Sequence, residues 1–101
     1  MNEYGAMAQR HWQRWLPGRY ASIEDPDAYF TELGERAAQE IASLWAEMTA
    51  REGNPAGEEY VARVGRLNMM RKQAEEQVLH ELVLLPPEPA AEDADGPGTG
   101  T

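Results

Sequence analysis

Residues 25–53 read DPDAYFTELGERAAQEIASLWAEMTAREG, and this stretch carries the start, the period and the stop of a long helix. Asp25 suits the N-cap, and Pro26 suits the first helical position because its missing N–H is not needed there. Gly53 supplies the stop, since glycine adopts the left-handed conformation at little cost. The pattern predicts a helix over about 26–52. Its apolar residues recur every three or four positions on one stripe: Phe30, Leu33, Ala37, Ile41, Leu44 and Met48.

A second amphipathic pattern follows at once. Asn54 suits the N-cap and Pro55 the first helical position, and the proline pair at 86–87 ends the pattern. We predict a helix over about 55–85. Two long amphipathic helices with so short a connection must lie antiparallel to bury their stripes, so the predicted fold is all-α and built on a helical hairpin. The second stripe runs through Tyr60 or Val61, then Val64, Leu67, Met70, Ala74, Val78, Leu82 and Leu85.

The segments on either side of the hairpin differ from it. An amphipathic helix is predicted over about 3–16, where it closes a three-helix bundle or pairs with another protomer. The acidic, Pro- and Gly-rich end cannot bury enough apolar surface to offset its ordering entropy, so 87–101 is predicted to be a disordered tail. The chain thus divides into an N-terminal helix and turn, 1–24, the hairpin, 25–86, and the tail. Gly34, inside the first stripe, is expected to mark a close contact between helices.

Composition limits what such a chain can be. It has 101 residues, 42% of them apolar, no cysteine and a formal net charge of −9. This length buries one modest core, so we expect one domain that is marginally stable unless a partner adds buried surface. The lack of cysteine excludes disulfides and thiolate metal sites, and no apolar run reaches the roughly 18–20 residues that span a bilayer. We therefore expect a cytoplasmic protein that does not enter membranes.

The C-terminal half carries polar residues whose spacing amphipathicity alone does not dictate. Residues 60–85 read YVARVGRLNMMRKQAEEQVLHELVLL. Together with AYFTELGERAAQEI at 28–41 and LWAEMTAREG at 44–53, this segment resembles the TnpV family of small accessory proteins encoded by transposons. The resemblance covers roughly half of the chain and implies a setting in a mobile genetic element, with no catalytic residues to carry over. The most distinctive residues are Gly65-Arg66-Leu67-Asn68, Arg71, Ala74-Glu75-Glu76 and Glu81-Leu82.

Catalytic and metal chemistry find little support in the sequence. A carboxylate-bridged metal bundle needs Glu-x-x-His on facing helices, but His80 lies four positions after Glu76, and His11 has no carboxylate three positions before it. Ser22 and Ser43 have no adjacent base or oxyanion-hole motif. We predict a protein that is not an enzyme and that has no cofactor, no metal and no small-molecule substrate.

Two groups of side chains are candidates for binding. Arg66 and Asn68 are candidate partner contacts, because asparagine inside a helix usually needs a hydrogen bond within the fold or to a partner. In RHWQRWLPGRY, residues 10–20, Trp12 and Trp15 either anchor the first helix to the hairpin or contact a partner. The interleaved basic residues could instead neutralise phosphates while the aromatic rings stack on bases. The nucleic-acid candidates are Arg10, Arg14, Arg19 and Arg63.

Three functions remain open at this point. The leading hypothesis is a non-enzymatic accessory protein that works through protein contact, as a homo-oligomer or beside a recombinase or another element-encoded machine. The second is a nucleic-acid-binding regulator, which the net charge disfavours. The third is an acidic inhibitor or nucleic-acid mimic. A continuous basic face joining the first and third helices would favour the regulator, whereas an uncharged apolar groove would favour protein contact.

Overall fold

The computed structural model describes residues 1–53 and 55–89, and this part of the chain consists of helices and turns. The predicted all-α class is confirmed. From residue 90 onward the predicted tail lies outside the described residues, as does Asn54. The elements in order are α1 (Glu3–Trp15), α2 (Pro17–Ala21), α3 (Pro26–Glu52), α4 (Tyr60–Val78) and a π-helical turn, Leu79–Val83, that continues α4. None of the described helices is long and apolar enough to cross a membrane.

Helix α3 begins and ends where its local signals place it. The Asp25 carboxylate accepts a hydrogen bond from the Ala28 N–H at 3.2 Å, and Pro26 occupies the first turn. At the other end Gly53 takes a φ of 69°, and its N–H donates to the Thr49 carbonyl oxygen at 3.0 Å. The predicted span of 26–52 is confirmed. The sequence could predict it because these signals act within a few residues.

Helix α4 begins at Tyr60, later than the predicted start at 55, so that boundary was wrong. The reason is Gly57, whose φ of 77° belongs to the left-handed region and cannot continue a helix. The Glu58 N–H donates instead to the Pro55 carbonyl oxygen in a turn, and the N-cap is Glu59 in extended conformation. The LPG sequence ends α1 and starts the short helix α2.

Helices α1 and α3 cross at two glycines. A Cβ atom added to Gly34 would lie 2.6 Å from the Gly5 nitrogen and 2.9 Å from its Cα. Asn2 caps α1 by accepting from the Gly5 N–H at 2.9 Å, and its amide nitrogen donates to the Gly34 carbonyl oxygen at 2.9 Å. One side chain therefore fixes the start of α1 on α3, and the close contact expected at Gly34 is confirmed.

The core lies where α1, α3 and the second half of α4 meet. Phe30, Ile41 and Val83 are its largest fully buried side chains. Leu44 and Val78 line one depression across the hairpin, so the middles of the two stripes face each other. The buried cluster comprises Tyr4, Ala8, Trp12, Leu16, Phe30, Ala37, Ile41, Ala74, Val78, Leu79 and Val83.

Candidate protein-contact surface

The first half of α4 presents apolar side chains to solvent. Tyr60 is 80% exposed, Val61 78% and Met69 63%. Between them lies Gly65, where no atom comes within 4 Å of the position a Cβ would take. At about 100° per residue, Tyr60 lies on the same side as Leu67, at the first turn of α4. The other residues lie on the side of α4 turned away from α3, with Val64 at its edge, and we call them the α4 outer face: Val61, Val64, Gly65, Asn68 and Met69.

The sequence placed the first members of this face in the hairpin core, and that prediction was wrong. The α4 residues that approach the end of α3 are Arg63 and Leu67, which border one depression together with Trp45. The Trp45 indole N–H donates to the Leu67 carbonyl oxygen at 3.0 Å. With Arg63 and Leu67 turned toward α3, the helical period turns Val61 outward and Val64 to the side of α4, where α3 does not cover them.

Arg66, a predicted partner contact, binds Glu58 of its own chain. Its Nε and Nη2 donate to the two carboxylate oxygens at 3.0 and 3.1 Å, and the two side chains are only 20% and 15% exposed. The hydrogen bond from the guanidinium is the main reason that the pKa of the Glu58 carboxyl lies below its ordinary value. The Arg66–Glu58 ion pair thus links the connection between α3 and α4 to the first half of α4.

Asn68, the other predicted contact on α4, is exposed. Its side chain makes no hydrogen bond to residues 1–53 or 55–89, so the alternative of a bond within the fold is not realised in that part of the chain. It borders a shallow depression on α4 together with Gly65, Met69 and Lys72. The Gly65–Asn68 motif, singled out from the sequence, therefore contributes its first and last residues to the α4 outer face.

The two tryptophans of α1 have different environments. Trp12 is 2% exposed, donates its indole N–H to the Val83 carbonyl oxygen at 2.9 Å and meets the Phe30 ring edge-on at 5.3 Å. Trp12 as a partner contact was therefore wrong, and its ring anchors α1 to the core. Trp15 is half-buried, and the Arg14 guanidinium lies 4.2 Å above its ring centre.

The chain after the π-helical turn folds back along α1, and we call residues 84–89 the return segment. The His11 Nε2 donates to the Leu85 carbonyl oxygen at 2.8 Å. The Glu88 carboxylate accepts from the backbone N–H groups of Gly18 and Arg19, each at 3.0 Å, and the Glu88 N–H donates to the Trp15 carbonyl oxygen at 2.8 Å. Glu88 was predicted to belong to the disordered tail, but it caps α2.

The arginines proposed for nucleic acid form two separate groups. Tyr4 at the start of α1 donates to Glu75 at 2.7 Å, while Trp12 bonds to Val83, so α1 runs away from the first half of α4. Arg63 lies a further twelve residues before Glu75, which is roughly 18 Å of helix. In the described part of the chain, no continuous basic face joins Arg63 to the arginines at the far end of α1 and on α2: Arg10, Arg14 and Arg19.

The aromatic faces near the α1 and α2 arginines are also occupied. Besides Arg14 above Trp15, the Arg19 guanidinium lies 5.1 Å from the centre of the Trp12 ring. Stacking on a base requires an accessible ring face. Among residues 1–53 and 55–89, no group of three or more His, Asp or Glu side chains could hold a metal ion.

No family model, no curated protein and no solved structure matches the chain. The α4 outer face offers the exposed apolar side chains of Val61 and Met69 beside the amide of Asn68, which has no hydrogen-bond partner among residues 1–53 and 55–89.

Proposed function

We propose that this protein is a non-enzymatic accessory protein of a mobile genetic element that acts in the cytoplasm through protein–protein contact made by the α4 outer face. The observation that carries the proposal is the exposure of Val61 and Met69 on the side of α4 that is turned away from α3. The resemblance of residues 60–85 to the TnpV family supports the mobile-element setting, in which the partner would be another copy or an element-encoded protein.

The two sides of α4 support this function. Its inner side is buried through Met70, Ala74 and Val78, as in any amphipathic helix of a bundle. Its outer side adds further apolar residues that the fold leaves in water. Apolar side chains clustered on one exposed surface mark sites where another macromolecule binds, because covering them gains hydrophobic free energy.

The nucleic-acid alternative has weaker support. The ring of Trp12 is buried and the arginines form two groups, so the phosphate contacts and stacking surfaces that binding would need are not adjacent. The formal net charge of −9 also repels a phosphate backbone at low salt. The same net charge is the whole support for an inhibitor or nucleic-acid mimic.

Site-specific photo-crosslinking in the native host tests the proposal. A photoreactive residue in place of Met69 should give a protein adduct, identified by mass spectrometry, that the additional change Val61→Glu removes. The matched control carries the photoreactive residue at Ala42, which is exposed on α3 away from the α4 outer face. Adducts that form equally at both positions, or that survive Val61→Glu, would contradict contact through this face.

A DNA-binding measurement tests the alternative of a nucleic-acid-binding regulator. For the purified protein we expect negligible binding to single- and double-stranded DNA at moderate salt. A dissociation constant in the micromolar range that rises steeply with salt, and that is lost when Arg10, Arg14 and Arg19 are reversed to Glu, would replace this proposal by the regulator.

A further inference from the structure

We propose that the arginines of α1 and α2 bind the acidic segment of the same chain, residues 90–95, and are thereby shielded from other anions. We call these three residues the arginine group: Arg10, Arg14 and Arg19. The segment itself lies outside the described residues, and its carboxylates belong to Glu92, Asp93 and Asp95. The inference is independent of the proposed function, because the arginine group and the α4 outer face belong to different helices.

Glu88 fixes the point from which the acidic segment starts. Its carboxylate accepts from the backbone N–H of Arg19 at 3.0 Å. Its own N–H donates at 2.8 Å to the carbonyl oxygen of Trp15, which directly follows Arg14. Residue 88 is therefore held between α2 and the last turn of α1, and the acidic segment starts two residues further along the chain beside two members of the arginine group.

The acidic segment is long enough to reach the whole arginine group. A residue of extended chain spans at most about 3.6 Å, so Asp95, seven residues after Glu88, lies within roughly 25 Å of it. Arg10 and Arg14 are separated by about one turn of α1, a rise of about 6 Å. Arg14 is also about 60° around the helix from His11, whose ring bonds the return segment. The side of α1 that the return segment follows is thus bordered by these arginines.

The charges of the segment and the arginine group are complementary. The segment carries acids and no base, and the members of the arginine group are exposed. Arg10 and Arg19 form no ion pair with any residue of 1–53 or 55–89, whereas three other arginines each pair with a carboxylate of their own helix or connection: Arg36, Arg51 and Arg66. Because the acids are tethered next to the arginine group, their effective concentration there is high.

The contact is expected to be weak and sensitive to salt. Exposed ion pairs individually contribute little, because water and ions screen them. The screening length falls from about 30 Å at roughly 0.01 M salt to about 3 Å at roughly 1 M, so the contact should form at low salt and be lost at high salt. A phosphate backbone would have to displace the segment, which agrees with the negligible DNA binding that we expect.

Paramagnetic relaxation measures the contact in the full chain. The protein has no cysteine, so Gly98→Cys provides a single position for a nitroxide spin label. At low salt the label should broaden the amide signals of residues 10–19 several-fold more than at high salt. Amide signals of residues 60–69, at the start of α4, should change little between the two conditions and serve as the internal reference.

Two variants with the same net charge separate a specific contact from a general charge effect. The tail-neutral variant carries Glu92→Gln, Asp93→Asn and Asp95→Asn. The control variant neutralises three exposed acids on α3 and at α4: Glu35→Gln, Glu59→Gln and Glu76→Gln. The tail-neutral variant should lose the salt-dependent broadening at residues 10–19, and the control variant should keep it.

Immobilised heparin, a polyanion, measures the shielding. The tail-neutral variant should elute at higher salt than both wild type and the control variant, because only there is the arginine group uncovered. Adding a further change of the whole arginine group to glutamine should abolish this difference. Circular dichroism of each variant shows that helicity is retained.

The remaining outcomes overturn the inference. Equal broadening of residues 10–19 in wild type and the tail-neutral variant would show that the acids do not hold the segment there. If the control variant behaves as the tail-neutral variant does in either measurement, net charge explains the result and no specific contact exists. Crosslinking at Met69 is unaffected by any of these results, so the proposed function is tested separately.

Discussion

Gly34 shows how a single absent methyl group sets the distance between two helices. Its Cα approaches the backbone of Gly5, which lies in the first turn of α1, while Gly34 lies in the interior of α3, where glycine is otherwise unfavourable. A Cβ on Gly34 would meet the side-chain oxygen of Asn2 and the backbone of Gly5, and backbone cannot turn aside as a flexible side chain can. Gly65 is also helical but has open space around it, so the two positions form a matched pair.

We predict that Gly34→Ala lowers the free energy of unfolding by about 1–3 kcal/mol, because α1 must shift away from α3. Gly65→Ala should instead raise it by about 0.5–1 kcal/mol through better helix propensity. Urea denaturation measures both. Similar effects of the two substitutions would show that α1 and α3 are not held at the distance described.

Tyr4 connects α1 to α4 through a group that can titrate. Burial first, and then its hydrogen bond to Glu75, raise the pKa of the Tyr4 phenol from 10.0 to about 12. The folded state thus disfavours the phenolate more than the unfolded state does. Stability from this group is therefore fully present below pH 10 and is lost as the pH rises from 10 through about 12.

We predict that wild type contains a tyrosine that ionises late in an alkaline spectrophotometric titration and that Tyr4→Phe lacks it. The same variant should lose less stability than wild type as the pH rises above 10, because the ionisable group is gone. Denaturation midpoints below and above that pH measure the difference. Equal losses in the two proteins would show that the Tyr4 hydroxyl is not held by Glu75.

At the scale of elements, the return segment connects the end of the hairpin to α2. Its Glu88 side chain supplies two acceptors to α2, whose own N-cap, Leu16, has no side chain that could do so. The acceptors arrive from a residue 70 positions away from Gly18. The stability of α2 therefore depends on the end of the hairpin.

We predict that ending the chain after Pro87 lowers the thermal midpoint more than ending it after Pro89. Only the shorter chain loses the three hydrogen bonds of Glu88, each worth about 1 kcal/mol or somewhat more where the carboxylate takes part. Glu88→Ala in the full chain should reproduce most of the loss. Identical midpoints for the two truncated chains would mean that Glu88 does not hold α2.

These elements also show what the sequence could predict. Helix α3 followed from Asp25, Pro26 and Gly53 because caps act within one turn of the chain. The start of α4 could not be predicted in this way, since Pro55 suits a helix start and only the left-handed conformation of Gly57 prevents a helix from beginning there. The cap of α2 by Glu88 is long-range and leaves no pattern near either partner.

The sequence predicted part of the candidate site. It singled out Asn68 as a residue in need of a bonding partner, and this residue is exposed on the α4 outer face. It did not predict that Val61 and Val64 are exposed, because an apolar residue at helical spacing is assigned to the core unless the part of the helix that its neighbour covers is known. Which part of α4 is covered by α3 depends on where Trp45 meets Leu67, and that is a property of the hairpin as a whole.

At the scale of the whole molecule, the hairpin is longer than the helix that covers it. Helix α1 has 13 residues and α3 has 27, and α1 lies against the half of α3 that contains Phe30 and Gly34. The other half of the hairpin is left as two helices side by side. A pair of helices buries one side of each, so the far side of α4 stays in water there, and this is where the proposed interface lies.

The bonds between α1 and residues 75–85 also bear on the order of events during synthesis. Tyr4 bonds to Glu75, Trp12 to Val83 and His11 to Leu85, residues 71, 71 and 74 positions apart. Trp45 and Leu67 are only 22 positions apart, so the hairpin closes a much shorter loop. Helix α1 can therefore lie against α3 early, through Asn2 and Gly34, but its hydrogen bonds to residues 75–85 form only after that segment has been synthesised. A nascent chain stalled ahead of the π-helical turn keeps the Trp12 ring beside Phe30 but leaves its indole N–H without the Val83 carbonyl oxygen.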